Sequence, residues 1–297
     1  GGLAARTRAL LKVEDGCNNF CTYCIIPYAR GRVRSLPLAA AVEQTRQLAD
    51  AGYREIVVNG IEISSWGAEW KDGSTLSELL TAICTAAPQV RIRLGSLEPR
   101  TVTEEFCRAL AGFQNLCPQF HLSLQSGSDT VLSRMHRKYD TARYAESVRL
   151  LHEYFPGCAV TTDLIVGFPG ETEEEFGESL AFVSRCGISM FHIFPYSRRS
   201  GTPAAKMPDQ IPRSVKETRA ARAAQVAAAL EEGYHEALRG SVQQVLFEQL
   251  EDGLWAGHAM NYVKVYLKDD CDLNNHILPV RVTELCRDGV LGERVSE

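Results

Sequence analysis

Six consecutive βα units followed by a small all-β module is the fold class that the sequence predicts, and three observations carry it. Short apolar runs alternate six times with helix-period segments. Each glycine-rich or polar block falls where such a run ends. Beyond a long Ala-, Arg- and Glu-rich stretch the pattern changes to short alternating segments broken by Asp, Gly and Asn turns.

The first run, Ala9-Leu10-Leu11-Lys12-Val13, reads as a buried strand, and Asp15-Gly16 turns the chain at its end. Helix-period positions Ala41, Val42, Thr45 and Leu48 lead up to Gly52, and Glu55-Ile56-Val57-Val58-Asn59 makes the second strand, ended by Gly60. Helices over 76–86, 103–110, 142–154 and 173–186 then alternate with strands over 90–94, 120–125, 159–166 and 189–194. Strands joined through helices pair in parallel, so a parallel sheet with helices on its outer face is expected. A partial barrel and a doubly wound open sheet share this periodicity. In both, the C-terminal ends of the strands build the active face. Six blocks would converge there: the loop after Val13, Gly60-Ile61-Glu62, Ser96-Leu97-Glu98-Pro99, Gln125-Ser126-Gly127, Gly167-Phe168-Pro169-Gly170 and Pro195-Tyr196-Ser197.

A connecting helix over 213–238 has Pro212 at its start and Gly240 past its end. Alternating segments over 242–249, 254–258, 262–267 and 277–285 predict a small β-barrel. The chain therefore divides into a core over 1–237 and a module over 238–297.

With 297 residues of ordinary balance the chain can bury a full core. It contains no run of eighteen apolar residues, and its first residues lack the apolar segment of a signal peptide, which predicts a cytoplasmic chain with no membrane partner. A net charge of −5 argues against a generally basic nucleic-acid binder, so any phosphate contact must come from local clusters of Lys and Arg.

Of ten cysteines, Cys17, Cys21 and Cys24 alone stand close together, at C-x₃-C-x₂-C spacing on the first loop. Cys84, Cys107, Cys117, Cys158, Cys186, Cys271 and Cys286 are scattered and read as small buried hydrophobes. Three thiolates on one loop can share a soft metal centre. Zinc would need a fourth ligand, and the nearest histidine in sequence is His121. An iron–sulfur cube would instead leave one iron without a protein ligand, the open position that a catalytic site keeps. A thioredoxin-like reading of Cys21-Thr22-Tyr23-Cys24 leaves Cys17 unexplained.

Gly16-Cys17-Asn18-Asn19-Phe20-Cys21-Thr22-Tyr23-Cys24-Ile25-Ile26-Pro27, with Arg30-Gly31 following, resembles the signature of the radical S-adenosylmethionine methylthiotransferases. Further blocks are Asn59 to Ser65, Ser123 to Ser128, Val166 to Glu171 and Phe194 to Arg199, and together they most resemble the branch acting on N6-threonylcarbamoyladenosine at tRNA position 37. The resemblance implies a partial (β/α)6 barrel followed by a TRAM-like RNA-binding β-barrel. It implies an enzyme in which a 4Fe-4S cluster and S-adenosylmethionine generate a 5′-deoxyadenosyl radical, which abstracts hydrogen from C2 of the base before a methylthio group is inserted. Isopentenyladenosine in tRNA or an aspartate of a ribosomal protein are alternative substrates for the same chemistry. A non-catalytic RNA-binding protein with a zinc clip is the distant alternative.

Residue by residue, the resemblance assigns Cys17, Cys21 and Cys24 to the cluster and Gly60, Glu62, Ser123, Gln125, Gly167 and Phe168 to the bound cofactor. Tyr23 flanks the cysteines, where it could stack on adenine. No catalytic side chain is singled out. Three groups, Arg30/Arg32/Arg34, Arg134/Arg137/Lys138 and Arg198/Arg199, would supply a positive rim for the tRNA anticodon stem-loop. The 238–297 module holds six basic against ten acidic residues, so its RNA-binding role is implied by the resemblance and not by charge. An electron donor such as flavodoxin or ferredoxin and a monomeric state are expected. The family also carries an N-terminal domain with a second, sulfur-delivering cluster. Because the chain starts Gly1-Gly2, sixteen residues before Cys17, it reads as the later two domains of a longer enzyme.

Overall fold

The computed structural model describes residues 7–295. Strand β1 (Arg8–Lys12) pairs with β2 (Glu55–Asn59), which pairs with β3 (Arg91–Leu94), all in parallel. Strand β4 (Gln119–His121) pairs with β5 (Ala159–Val166), which pairs with β6 (Met190–Pro195), again in parallel. Parallel bridges from Ile92 to Leu116 and from Leu97 to Leu122 join the two halves. The strands thus stand in chain order, without the reversal a doubly wound sheet requires. This is a partial (β/α)6 barrel, and among the described residues β6 and β1 do not pair.

Helices α2 (Leu38–Asp50), α3 (Leu76–Ala86), α4 (Glu104–Leu110), α6 (Thr141–Tyr154) and α7 (Glu173–Arg185) link the strands, after the short α1 (Ile26–Arg30) in the first loop and α5 (Asp129–Arg134) in the fourth. Their starts are written locally. Thr75 with Glu78 and Thr172 with Glu175 form capping boxes, while Thr103 and Asp140 accept from the amides three residues on. Strand alternation then divides each strand's side chains between two faces. Ile56, Val58, Ile92 and Leu94 are buried in one apolar cluster with Leu79, Leu80 and Ile83 of α3. Glu55, Arg91 and Arg93 occupy the opposite face.

Helix α8 (Arg213–Ala237) lies along β6 and leads to a closed five-stranded barrel. Its strands are β7 (Val242–Glu251), β8 (Leu254–Ala259), β9 (Lys264–Leu267), β10 (Ile277–Cys286) and β11 (Gly289–Arg294), in the order β8-β9-β11-β10-β7 with β7 closing on β8. Val245, Phe247, Val265, Val280, Val282 and Val290 fill its interior.

Strand β11 is absent from the sequence-based reading because two of its six residues are glycines, which weaken a strand pattern. The barrel needs both. A Cβ on Gly289 would fall on the Lys264 carbonyl, and one on Gly292 on Val280. Two expected strands are also shorter than read: β9 starts at Lys264 because Tyr262 sits at φ 71°, and regular pairing of β4 stops at His121, with Gln125 itself at φ 71°.

Candidate functional site

The cysteine loop is shaped by its own backbone before any partner is bound. Glu14–Asp15 pairs with Arg34–Ser35, so the chain leaves β1 and returns beside it. Gly16 turns at φ 90°, where a Cβ would fall on the Arg32 carbonyl, and the Cys17 amide then donates to the Gly31 carbonyl at 3.1 Å. Thr22 fastens the loop to the end of α5, its amide donating to Met135 (3.1 Å) and its hydroxyl to the Arg134 carbonyl (2.9 Å). The Cys24 amide donates to the Cys21 carbonyl at 3.0 Å, closing a turn that presents both thiols.

Cys21 is buried, and Cys17 and Cys24 are partly so. Burial pushes the Cys17 thiol up to about 11 despite the Asn19 amide donating to its sulfur at 3.4 Å, and Glu62, Cys21 and Cys24 push it further. Cys24 is raised by burial and by Cys21, against the Ile26 amide, Arg199 and Arg137. Thiolates this close repel one another, and a cationic metal centre relieves that repulsion. Among the described residues no three His, Cys, Asp or Glu side chains converge closely enough to chelate one metal ion. Three soft thiol ligands on one loop suit three iron corners of an iron–sulfur cube and leave the fourth open.

Two cavities flank the loop. The first, about 240 Å³, is walled by Tyr23, Gln125, Ile165, Phe194, Tyr196 and Arg199 among others. The second, about 210 Å³, lies between Asn19, Glu62, Ser64, Glu98 and Arg100. Glu62 accepts from Asn19 Nδ2 at 3.2 Å through one oxygen, while its other oxygen is buried without a partner. Burial and the neighbouring Glu98 raise its carboxyl to about 7, against Arg137. A buried carboxylate with an unpaired oxygen, beside a polar cavity that its residue lines, is a place for a cationic group. Gly60 supports it indirectly: a Cβ there would approach Glu14 to 2.9 Å, and Glu14 accepts from the Glu62 amide at 2.7 Å.

Tyr23, Gln125 and Glu62 therefore line cavities beside the cysteines, and Gly60 backs one of them. Ser123 lies close by, its carbonyl taking hydrogen bonds from Arg137 (3.3 Å) and Tyr139. Gly167 and Phe168 are placed differently. The Gly167 amide is spent on Glu171 (2.8 Å), and the Lys216 side chain covers its Cα. Phe168 is fully buried, edge-on to Tyr196 at 5.5 Å, so its ring braces the first cavity from behind.

The arginines also separate. Arg30, Arg32 and Arg34 are exposed, although Asp15 lies 3.9 Å from Arg30 and 3.5 Å from Arg34. Arg32 lies over the Phe20 ring at 5.1 Å. Arg198 donates to the Ala205 carbonyl (2.6 Å), and Arg199 lines the first cavity. Arg134, expected on the rim, is instead clamped to Glu175 at 2.6 Å, the residue that caps α7. Arg137, also expected on the rim, turns inward: it donates to Cys21 Sγ (3.1 Å), Tyr23 Oη (3.4 Å), Ser123 O (3.3 Å) and Tyr139 Oη (2.9 Å). Sequence spacing carries no signal for that inward turn, because His136 at φ 60° sets the path of the chain just before it. Glu14 was not singled out in the sequence, where it simply precedes the Asp15-Gly16 turn.

Known proteins bear on the same residues. The Radical SAM superfamily profile matches residues 11–183, from the end of β1 through the cysteine loop and into α7. A threonylcarbamoyladenosine tRNA methylthiotransferase of Bacillus subtilis is 41% identical over 93% of this chain and 62% of its own length. One from Thermotoga maritima is 38% identical over 100% of this chain and 68% of its own. A tRNA-2-methylthio-N(6)-dimethylallyladenosine synthase of Acetivibrio thermocellus is 35% identical over 93% and 58%. The chain thus spans about three-fifths to two-thirds of the length of these curated relatives. In fold alone, the chain is similar to the radical S-adenosylmethionine methyltransferase TsrM from Kitasatospora setae, with TM-score 0.55, 18% identity and coverage of 83% of this chain and 41% of that one. With the superfamily profile over more than half its residues and a relative covered across two-thirds of its length, the chain belongs to the radical S-adenosylmethionine methylthiotransferase family.

Proposed function

We propose that this chain is the radical-generating and RNA-docking part of a tRNA methylthiotransferase acting on threonylcarbamoyladenosine at position 37. The observation that carries the reading is the loop itself, three thiols on one loop between two cavities, one of them lined by Glu62, whose buried Oε1 has no partner. Cys17, Cys21 and Cys24 would hold a 4Fe-4S cluster. With S-adenosylmethionine bound beside it, such a centre would supply the carbon radical for hydrogen abstraction from the target base.

The residues do the placing. Glu62, held near neutrality by burial, gains a partner when its free oxygen accepts from the ammonium of the methionine part, which favours its ionised form. Tyr23, Phe194 and Tyr196 give the first cavity an aromatic wall suited to a purine ring and poor in water. Arg199 at its rim, with Arg30, Arg32 and Arg34 on the same loop system, supplies phosphate contacts that the net charge of −5 does not. A one-electron donor such as flavodoxin or ferredoxin, and a second cluster delivering sulfur elsewhere in the whole protein, complete the reaction. Favouring threonylcarbamoyladenosine over isopentenyladenosine rests on the motif blocks and on 41% identity over 93% of the chain to the Bacillus subtilis relative, against 39% over 81% for a dimethylallyladenosine synthase of Clostridium botulinum.

Anaerobic reconstitution tests this directly. We expect about four irons per chain and release of 5′-deoxyadenosine from S-adenosylmethionine under dithionite. Cys17→Ala, Cys21→Ala and Cys24→Ala should each abolish both, and Cys158→Ala, remote and buried, should abolish neither. One bound zinc and no iron would sink the enzymatic reading. Substrate choice is read by binding anticodon stem-loops carrying either modified adenosine, and equal affinity for the two would remove the preference proposed here.

A further inference from the structure

We infer that Arg137 is a positioning residue that sets the reduction potential of the centre held by the cysteine loop, through a charged hydrogen bond to the Cys21 sulfur. The inference rests on the cluster reading above.

The guanidinium is tied on every side. One nitrogen, Nη1, donates to Cys21 Sγ at 3.1 Å and to Tyr23 Oη at 3.4 Å. Nη2 donates to the Ser123 carbonyl at 3.3 Å, and Nε to Tyr139 Oη at 2.9 Å. Its carbon lies over the Tyr139 ring at 4.8 Å. Tyr139 in turn donates to the Leu124 carbonyl at 2.9 Å and is itself buried. The fork thus spans two segments of the barrel, the cysteine loop and the end of β4 that leads to Gln125, and it cannot swing away without leaving several polar groups unpaired. Solvent competes poorly there. A fixed positive charge and an N–H on a ligating sulfur both favour the more negative, reduced state of a thiolate-held centre. The facing groups are accounted for: Glu62 and Glu98 are acidic neighbours on the second-cavity side, Arg199 is a second cation near Cys24, and Tyr23 and Tyr139 are neutral.

Arg137 therefore does more than brace the loop. With the charge removed, the same electron donor should reduce a smaller share of the centre. With the charge kept but the fork lost, the brace should suffer more than the potential.

The test is an electron-paramagnetic-resonance redox titration of reconstituted chain without S-adenosylmethionine, comparing wild type with Arg137→Gln, Arg137→Lys and Tyr139→Phe, each checked for iron content. For Arg137→Gln we expect the ratio of reduced to oxidised centre at fixed solution potential to fall about tenfold, which is about 59 mV for a one-electron couple. Arg137→Lys should stay within a factor of about three of wild type, and Tyr139→Phe, which keeps the charge, should do the same. A Gln variant with full iron and a wild-type midpoint overturns the inference, as does a Lys variant that drops as far as Gln. If Arg137→Gln retains no iron, Arg137→Met takes its place in the titration, and loss of iron from both neutral variants with iron kept by Arg137→Lys overturns the inference in favour of a bracing role. Failure of the wild type to bind iron would instead reject the underlying cluster reading.

Discussion

Glu14 shows how far a single buried carboxyl can depart from its sequence appearance. It is 2% exposed, one oxygen accepts from the Glu62 amide, and the other has no partner. Burial raises it from 4.5 to about 7 despite two backbone donors, Glu62 and Ile61. In the folded chain it therefore keeps a proton that the unfolded chain has already released above 4.5. That contribution is complete below the unfolded value and is lost as pH rises through about 7. The cluster-free chain should accordingly lose up to about 3 kcal/mol of stability on going from about pH 5 to about pH 8, by linkage at this group alone. Glu14→Gln should flatten that loss while leaving stability near pH 5 little changed. Urea denaturation across that range reads it, and parallel curves for the two proteins would refute the account.

At the scale of the element, the cysteine loop is a turn held open by glycine and edged with arginine. Gly16→Ala puts a side chain on the Arg32 carbonyl at a backbone angle of φ 90°, so we expect a loss of about 2–4 kcal/mol and poor iron retention. Chemical denaturation together with iron analysis measures both, and a variant that keeps its iron would show that the turn can relax. The arginines that follow do not carry equal charge into a complex. Arg30 and Arg34 share Asp15, which Lys12 also contacts at 2.7 Å, whereas Arg32 has no carboxylate partner among the described residues. Arg32→Ala should reduce the slope of log affinity for tRNA against log salt by about 0.7–0.9 if it meets one phosphate. Arg30→Ala should change it less. Equal slopes in all three proteins would take this edge out of the interface.

At the scale of the molecule, the N-terminal ends of the first three strands are joined to the C-terminal barrel by buried charge. Glu55 is fully buried and accepts from Arg8 (2.9 Å) and Arg93 (2.7 Å). Arg93 reaches on to the carbonyls of Met260 (2.9 Å) and Ala259 (3.3 Å), and Arg91 to those of His258 (3.2 Å) and Gln244 (2.6 Å). The Tyr262 ring lies under both Arg8 and Arg93. Burial pushes the Glu55 carboxyl up, but Arg93 and Arg8 outweigh it and hold it low. Breaking such a pair from one side leaves a charge uncompensated. Arg93→Leu should cost about 3–5 kcal/mol and uncouple the module, splitting one thermal transition into two. A single unshifted transition would show that the apolar contacts alone join the two barrels.

What the sequence by itself determined was whatever local pattern encodes. The short apolar runs and the helix-period stretches between them located all six core strands, with β5 running over 159–166 as read and α3 over 76–86. The six-strand order and the barrel after α8 agree with that reading. The three-cysteine spacing with its flanking residues was enough to point to the family. What only the tertiary structure decided depends on groups far apart in the chain. Arg137 and Arg134 look alike in sequence, but one meets Cys21, 116 residues away, and the other Glu175, 41 residues away. Phe168 sits in a motif block yet packs behind the cavity because Tyr196 arrives from the next strand. Strand β11 is a strand only because Lys264 and Val280 leave room for nothing larger than hydrogen at Gly289 and Gly292. Periodicity records which side of an element is buried, and it carries no record of what will be found there once distant segments close on one another.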